Sequence, residues 1–188
     1  MAAAGDLSLN AWAVLTVLVD DGPSHGFAIS QTLGKGTVVG QVWAVPRPLV
    51  YRALDQLVAA GLARPEPQEP GSGGPSRRPF RVTPTGRKAV RRWRVEPVVH
   101  LRDVRAELML KLVLSERAGH DITPLLEAQL DQFAPLRAAD PPRPEGAGDA
   151  GHVVAVWRQE LAEAVDRSLR TLLAERATVG GPRPPSPG

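Results

Sequence analysis

A mostly α-helical fold, interrupted by one short hairpin, is predicted by three features of the chain. A helix punctuated by Gly61 leads directly into two strand-like segments, Leu62–Pro65 and Pro79–Val82, joined by a Pro/Gly/Ser loop. Two short helices precede that unit, and longer amphipathic ones follow it. Helices and hairpin in that order make an amino-terminal winged helix-turn-helix with a two-stranded wing. The remaining helices make a carboxy-terminal α-helical dimerisation region.

The first helix is expected from Leu7 to Asp20. Ser8 can cap its free amides, and Leu7 can pack on Trp12 as a hydrophobic staple. Leu9, Trp12, Ala13 and the run from Leu15 to Val19 make it largely buried, and Asp21-Gly22-Pro23 ends it. Ser24 is the expected cap of a second helix, His25 to Leu33, whose Phe27, Ile29 and Leu33 can pack inward before Gly34-Lys35-Gly36 breaks it. A loop then leads to the third helix, Pro48 to Ala60. Val50, Leu54 and Leu57 recur there at i, i+4 and i+7, so one face must be buried. Pro48 suits a first helical position, and Gly61 suits the left-handed position that closes a helix, with Leu62 folding back on Leu57. Glu66 to Ser76 holds too much proline and glycine for a helix or an interior strand, and reads as a hairpin tip. Thr83 followed by Pro84 opens the next helix, with Val90 and Trp93 on one face and Arg87, Arg91 and Arg94 as a cationic stripe on another.

Those residues carry a resemblance. Gly22-Pro23-Ser24-His25-Gly26-Phe27-Ala28-Ile29, Trp43, Tyr51-Arg52-Ala53-Leu54, Ala60-Gly61-Leu62 and the wing return Pro75 to Thr83 are similar to the PadR family of bacterial transcriptional regulators. The likeness covers about residues 7 to 95. Many members have Ser, Gly or Thr where this chain has Pro46-Arg47-Pro48-Leu49, so base preference does not transfer from the family at large. The resemblance implies a homodimer, repression of transcription, and release by a small apolar or aromatic effector.

Charge placement agrees with a nucleic-acid partner. The formal net charge of the 188 residues is only +3, but Arg77 to Arg105 holds nine arginines and one lysine against Glu96 and Asp103, a local balance of +8. Beside a winged helix, Arg77, Arg78 and Arg81 are candidates for phosphate contact. On the third helix, Arg47 and Arg52 are best able to reach guanine O6 and N7 or a phosphate. Leu49 is placed to touch a thymine methyl, and Tyr51 to bond a phosphate or to close the core between helices. Trp43 is expected to pack rather than to contact DNA, and His25 to be a hydrogen-bonded structural residue.

Beyond Val95 the sequence changes character. An apolar helix is expected from about Leu101 to Ser115, and a second one, capped by Thr123-Pro124, carries Leu126, Leu130, Phe133 and Leu136. Ala138 to Gly151 reads as a flexible loop. The last helix, His152 to about Ala177, places Val154, Trp157, Leu161, Val165, Leu169 and Leu172 on one stripe. Dimerisation through Val154, Leu161, Val165, Leu169 and Leu172 would cover that stripe, and an intramolecular three-helix bundle is the alternative. Trp93 and Trp157 are candidate walls of an effector pocket, although buried tryptophans more often belong to a core. The resulting division is a disordered 1–6, a winged-helix domain 7–95, a helical dimerisation and effector region 96–177 with its loop at 138–151, and a disordered tail 178–188.

Several classes of function find no residues to carry them. The absence of cysteine removes disulfides, thiolate metal sites and cysteine nucleophiles. The four histidines have no metal-ligand spacing, and no glycine-rich phosphate loop or Ser/His/acid pattern occurs, so no catalytic, metal or cofactor residues are nominated. With no secretory leader and no membrane-spanning apolar run, a cytoplasmic, nucleoid-associated protein is expected. The expected partner is a double-stranded DNA operator bound by a homodimer. The alternatives are a winged-helix protein-interaction module and a nonspecific DNA-binding protein.

Overall fold

The computed structural model describes residues 7–67, 78–138 and 148–179. The chain divides into two compact units, one comprising Met1–Arg94 with Arg105–His120, the other Val95–Val104 with Asp121–Gly188. The stretches expected as disordered ends, the hairpin tip and Arg77 lie wholly or mostly outside the described residues.

In the first unit, α1 (Leu9–Asp20) begins where Ser8 accepts a hydrogen bond from the Ala11 amide at 3.2 Å. Its residues 13–18 are all buried, because a helix this apolar has no face to offer water. A two-residue strand, β1 (Ser24–His25), precedes α2 (Gly26–Thr32). The cap of α2 is His25, not Ser24: its Nδ1 accepts from the Ala28 amide at 3.0 Å, while Ser24 is drawn into the sheet. The expected loop before the next helix contains α3 (Val38–Trp43), capped by Thr37, whose hydroxyl accepts from Gly40 N at 2.9 Å.

Helix α4 (Arg47–Ala59) starts one residue before the expected Pro48, which leaves Pro48 in the second position. The missing amide costs nothing there, since the first four helical amides have no intrahelical acceptor. Its end is a Schellman turn. Gly61 has φ 69° and donates to Val58 O at 3.0 Å, and Leu62 donates to Leu57 O at 2.9 Å.

The wing has three strands rather than the two expected. β2 (Ala63–Pro65) and β1 both pair antiparallel with β3 (Pro79–Val82), giving the order β1-β3-β2. Ala63 faces Val82, Arg64 faces Arg81, and Ser24 faces Phe80. Thr83 then caps α5 (Pro84–Val95): its hydroxyl accepts from Gly86 N at 3.1 Å and donates to Gly61 O at 2.8 Å, so the end of α4 is tied to the start of α5.

Residues 105–120, assigned by the sequence division to the second region, belong to the first unit. A π-helical turn, Val104–Leu108, feeds α7 (Met109–Arg117), and Leu110 and Leu114 enter the same core as Leu15, Leu54 and Val90. Around them, Trp12 and Trp93 stack with centroids 5.1 Å apart and planes within 2°. Lys111, 1% exposed, lies 2.8 Å from Glu107 Oε1 and 5.1 Å from the Trp93 ring centre, while Trp93 Nε1 donates to the same Glu107 oxygen at 3.0 Å.

The second unit contains α6 (Leu101–Asp103), α8 (Thr123–Ala138) and α9 (Gly148–Val179). The carboxylate that serves the start of α8 is that of Asp121, which accepts from Thr123 N at 2.9 Å. That hydrogen bond holds the Asp121 carboxyl below the usual carboxylate range. Helix α9 begins at Gly148, so the last four residues of the expected loop are helical. Gln129 is fully buried, with both ends of its amide satisfied by the Val98 backbone at 2.8 and 2.9 Å.

Candidate nucleic-acid interface

Helix α4 is two-faced. Val50, Ala53, Leu54 and Leu57 are buried, whereas Arg47, Tyr51 and Arg52 are exposed. The split follows from the helical period: Tyr51 and Arg52 fall between the buried positions, on the opposite side of the cylinder. Leu49 is half-buried and packs against the core with Trp43, whose Nε1 donates to Asn10 at 2.9 Å.

The amino end of α4 presents one defined cationic group. The Arg47 guanidinium carbon lies 5.4 Å from the ring centre of Phe27 on α2 and 5.9 Å from that of Tyr51, one turn along α4. Tyr51 is 41% exposed, its ring resting on Gly26. The ring thus packs between helices while much of the side chain stays open. Phe27, expected to pack inward with Ile29 and Leu33, is instead half-buried beside Arg47, while Ile29 and Leu33 are fully buried.

On the wing, Arg64 and Arg78 are exposed, and Arg77 lies outside the described residues. Arg81 is bound to Glu66 across the hairpin through two hydrogen bonds. The Arg81 guanidinium beside it holds the Glu66 carboxyl below its ordinary range, and Arg81 itself is raised. Arg81 thus ties the hairpin together, leaving Arg64 and Arg78 as its exposed described arginines.

Helix α5 adds Arg87, Lys88, Arg91 and Arg92, all exposed. Arg94, expected on the same stripe, is a correction: it is buried and donates through Nη2 to both oxygens of Asp20, with Nη1 2.9 Å from His120 Nε2. Its position explains the difference, because Arg94 follows Val90 by four residues and so shares the buried face of α5.

Of the proposed pocket residues, Trp93 is 4% exposed in the stack with Trp12, and Trp157 is 67% exposed on α9. They belong to different units. Along the α9 stripe, Val165 and Leu169 are buried within the single chain, Leu161 and Leu172 are half-buried, and Val154 is exposed. No group of three metal-ligating side chains occurs among the described residues, and none of their helices is long and apolar enough to cross a membrane.

A largely buried first helix with a short second one, a two-faced helix ending in a glycine turn, and a three-stranded wing with arginines on its surface define a winged helix-turn-helix. Residues 14–92 match the model of the transcriptional regulator PadR-like family. Among solved structures, the chain is similar to PadR of Bacillus subtilis in complex with operator DNA, at 19% identity and a TM-score of 0.44, over 88% of this chain and 97% of that one. It is also similar to smu.1604c of Streptococcus mutans UA159, at 13% identity and a TM-score of 0.40, over 87% of this chain and 98% of that one. No curated protein matches the chain.

Proposed function

We propose that the chain is a homodimeric transcriptional regulator that reads a palindromic double-stranded DNA operator with α4 and holds the flanking phosphates with the wing. The observation that supports this reading is the division of α4 into a buried apolar face and an exposed face bearing Arg47, Tyr51 and Arg52. Arg47 and Arg52 meet guanine edges or phosphates, Leu49 meets a thymine methyl at the groove wall, and Tyr51 bonds a phosphate through its hydroxyl. Arg77 and Arg78 add charge at the wing, and Arg81 acts mainly by holding the hairpin through Glu66.

Two copies pair through the exposed amino-terminal part of α9, where Val154, Val156 and Trp157 offer an apolar surface. Leu161 and Leu172 extend it, while Val165 and Leu169 hold α9 within its own chain. A two-fold pair reads half-sites about one helical turn apart. Occupancy of the operator represses transcription, and a small apolar or aromatic effector near Trp157 releases it by favouring a different spacing of the two α4 helices.

Fluorescence anisotropy against the DNA upstream of the protein's own gene, with a scrambled duplex alongside, tests the reading at two salt concentrations. Tight binding to the native duplex alone, weakened by salt, with its preference over the scrambled duplex lost in Arg47→Ala, is expected. Equal affinity for both duplexes makes the protein a nonspecific binder. No binding to either duplex turns the winged unit into a protein-interaction module.

A further inference from the structure

The sequence singles out Arg47 but says nothing of what holds it. In the structure the guanidinium lies over two aromatic rings from different helices, Phe27 of α2 at 5.4 Å and Tyr51 of α4 at 5.9 Å. We propose that Phe27 and Tyr51 form a slot that presents Arg47 to the major groove, making Phe27 a specificity-determining residue that acts by positioning, with guanine as the base read. The inference rests on the DNA-reading function proposed above and adds to it the residue that sets base choice.

The chemistry of the group selects the base. Aromatic faces attract a guanidinium through their ring quadrupole, and stacking engages its flat sides while its in-plane N–H groups remain available. Guanine is the base whose major-groove edge offers two acceptors, O6 and N7, at the separation of a guanidinium fork. An arginine held against two rings also loses less rotamer freedom on binding than one swinging free in water.

The slot is built rather than incidental. A Cβ on Gly26 would lie 2.8 Å from Tyr51 Cε1 and 3.0 Å from Tyr51 Cζ, so a side chain there would push the ring from its place on the first turn of α2. His25 caps that same turn through Ala28 N, with its own ring 6.3 Å from that of Phe27. Phe27 therefore stands on a fixed helix end. It also lies off the Ile29 and Leu33 stripe that anchors α2 in the core, and is half-buried where those two are fully buried.

Selection of bound duplexes from a pool with a randomised centre tests the proposal, using the full chain and its Arg47→Ala, Phe27→Leu, Phe27→Tyr and Gly26→Ala variants. The unaltered protein is expected to recover a motif with a guanine in each half-site, preferred over other bases by about five- to a hundredfold. Arg47→Ala should lose that preference. Phe27→Leu and Gly26→Ala should move the same position towards parity while the rest of the motif persists, and Phe27→Tyr should retain it. Persistence of the rest of the motif reports that each variant is folded; if Phe27→Leu does not fold, Gly26→Ala decides. Retained guanine preference in the folded slot variants, or in Arg47→Ala, overturns the inference while leaving DNA reading intact. Recovery of no motif by the unaltered protein overturns the DNA-reading function itself, and the slot with it.

Discussion

Replacing Arg94 by methionine keeps most of the aliphatic volume of the side chain and removes the partner of a buried carboxylate. Asp20 is 3% exposed at its side chain and Arg94 10%, so neither charge has water to fall back on. Removing one member of such a pair costs about 3–5 kcal/mol, because the survivor is left buried and uncompensated. His120, 48% exposed and 3.3 Å from Asp20, remains as a weaker partner, which places the expectation near the lower end, about 3 kcal/mol. That is a large share of the roughly 5–15 kcal/mol that holds an ordinary domain together. Urea unfolding followed by tryptophan fluorescence is the assay, since the Trp12–Trp93 stack lies in the same unit. The double variant Asp20→Asn, Arg94→Met should cost clearly less than the two single losses added together. A loss below about 1 kcal/mol for Arg94→Met, the figure for an exposed pair, would refute the reasoning.

Other expectations follow from the same geometry. Thr83→Val keeps the shape of the residue but removes the hydroxyl that caps α5 and holds Gly61 O, and should cost about 1 kcal/mol in the same unfolding assay. Glu66 is held low by Arg81 in the folded hairpin, so the unfolded chain takes up the proton first as pH falls. The pairing therefore stabilises fully above the ordinary glutamate range and is lost as pH drops through the lowered folded value. The protection against exchange of the Glu66 amide, whose N–H donates to Pro79 O at 2.9 Å, should fall relative to its intrinsic rate in that acidic window, and Glu66→Gln should abolish the dependence. Trp157→Glu places a charge on the exposed end of α9 and should convert a dimer into a monomer by analytical ultracentrifugation, leaving the unfolding of the winged unit unchanged. A dimer unaffected by the change would move the interface elsewhere.

Much of the winged unit was legible because its boundaries are written in local chemistry. Ser8, Gly61 and Thr83 each act through atoms of their own turn, and each sits where its residue type predicts. Helix α3 was obscured by Val38, Val39 and Gly40, poor helix formers in a short segment, although Thr37 was present as a cap. The third strand was invisible because two residues, Ser24 and His25, carry no periodicity; only their pairing with β3 makes them a strand. Arg94 could have been separated from Arg87 and Arg91 by its four-residue distance from Val90. Likewise Phe27 stands two residues from Ile29, on the far side of α2 from the buried stripe. The Arg47 slot had no signal in spacing, because it joins residues twenty positions apart in sequence on separate helices.

The central claim, that α4 lies in a major groove with Arg47 on guanine, is tested most directly by dimethyl sulfate protection of a bound duplex. Guanine N7 is exposed only in the major groove. The account predicts protected guanines in two half-sites about one helical turn apart, with protection lost in Arg47→Ala while overall binding weakens. Bound DNA in which every guanine N7 stays reactive, or in which Arg47→Ala leaves protection unchanged, would contradict it.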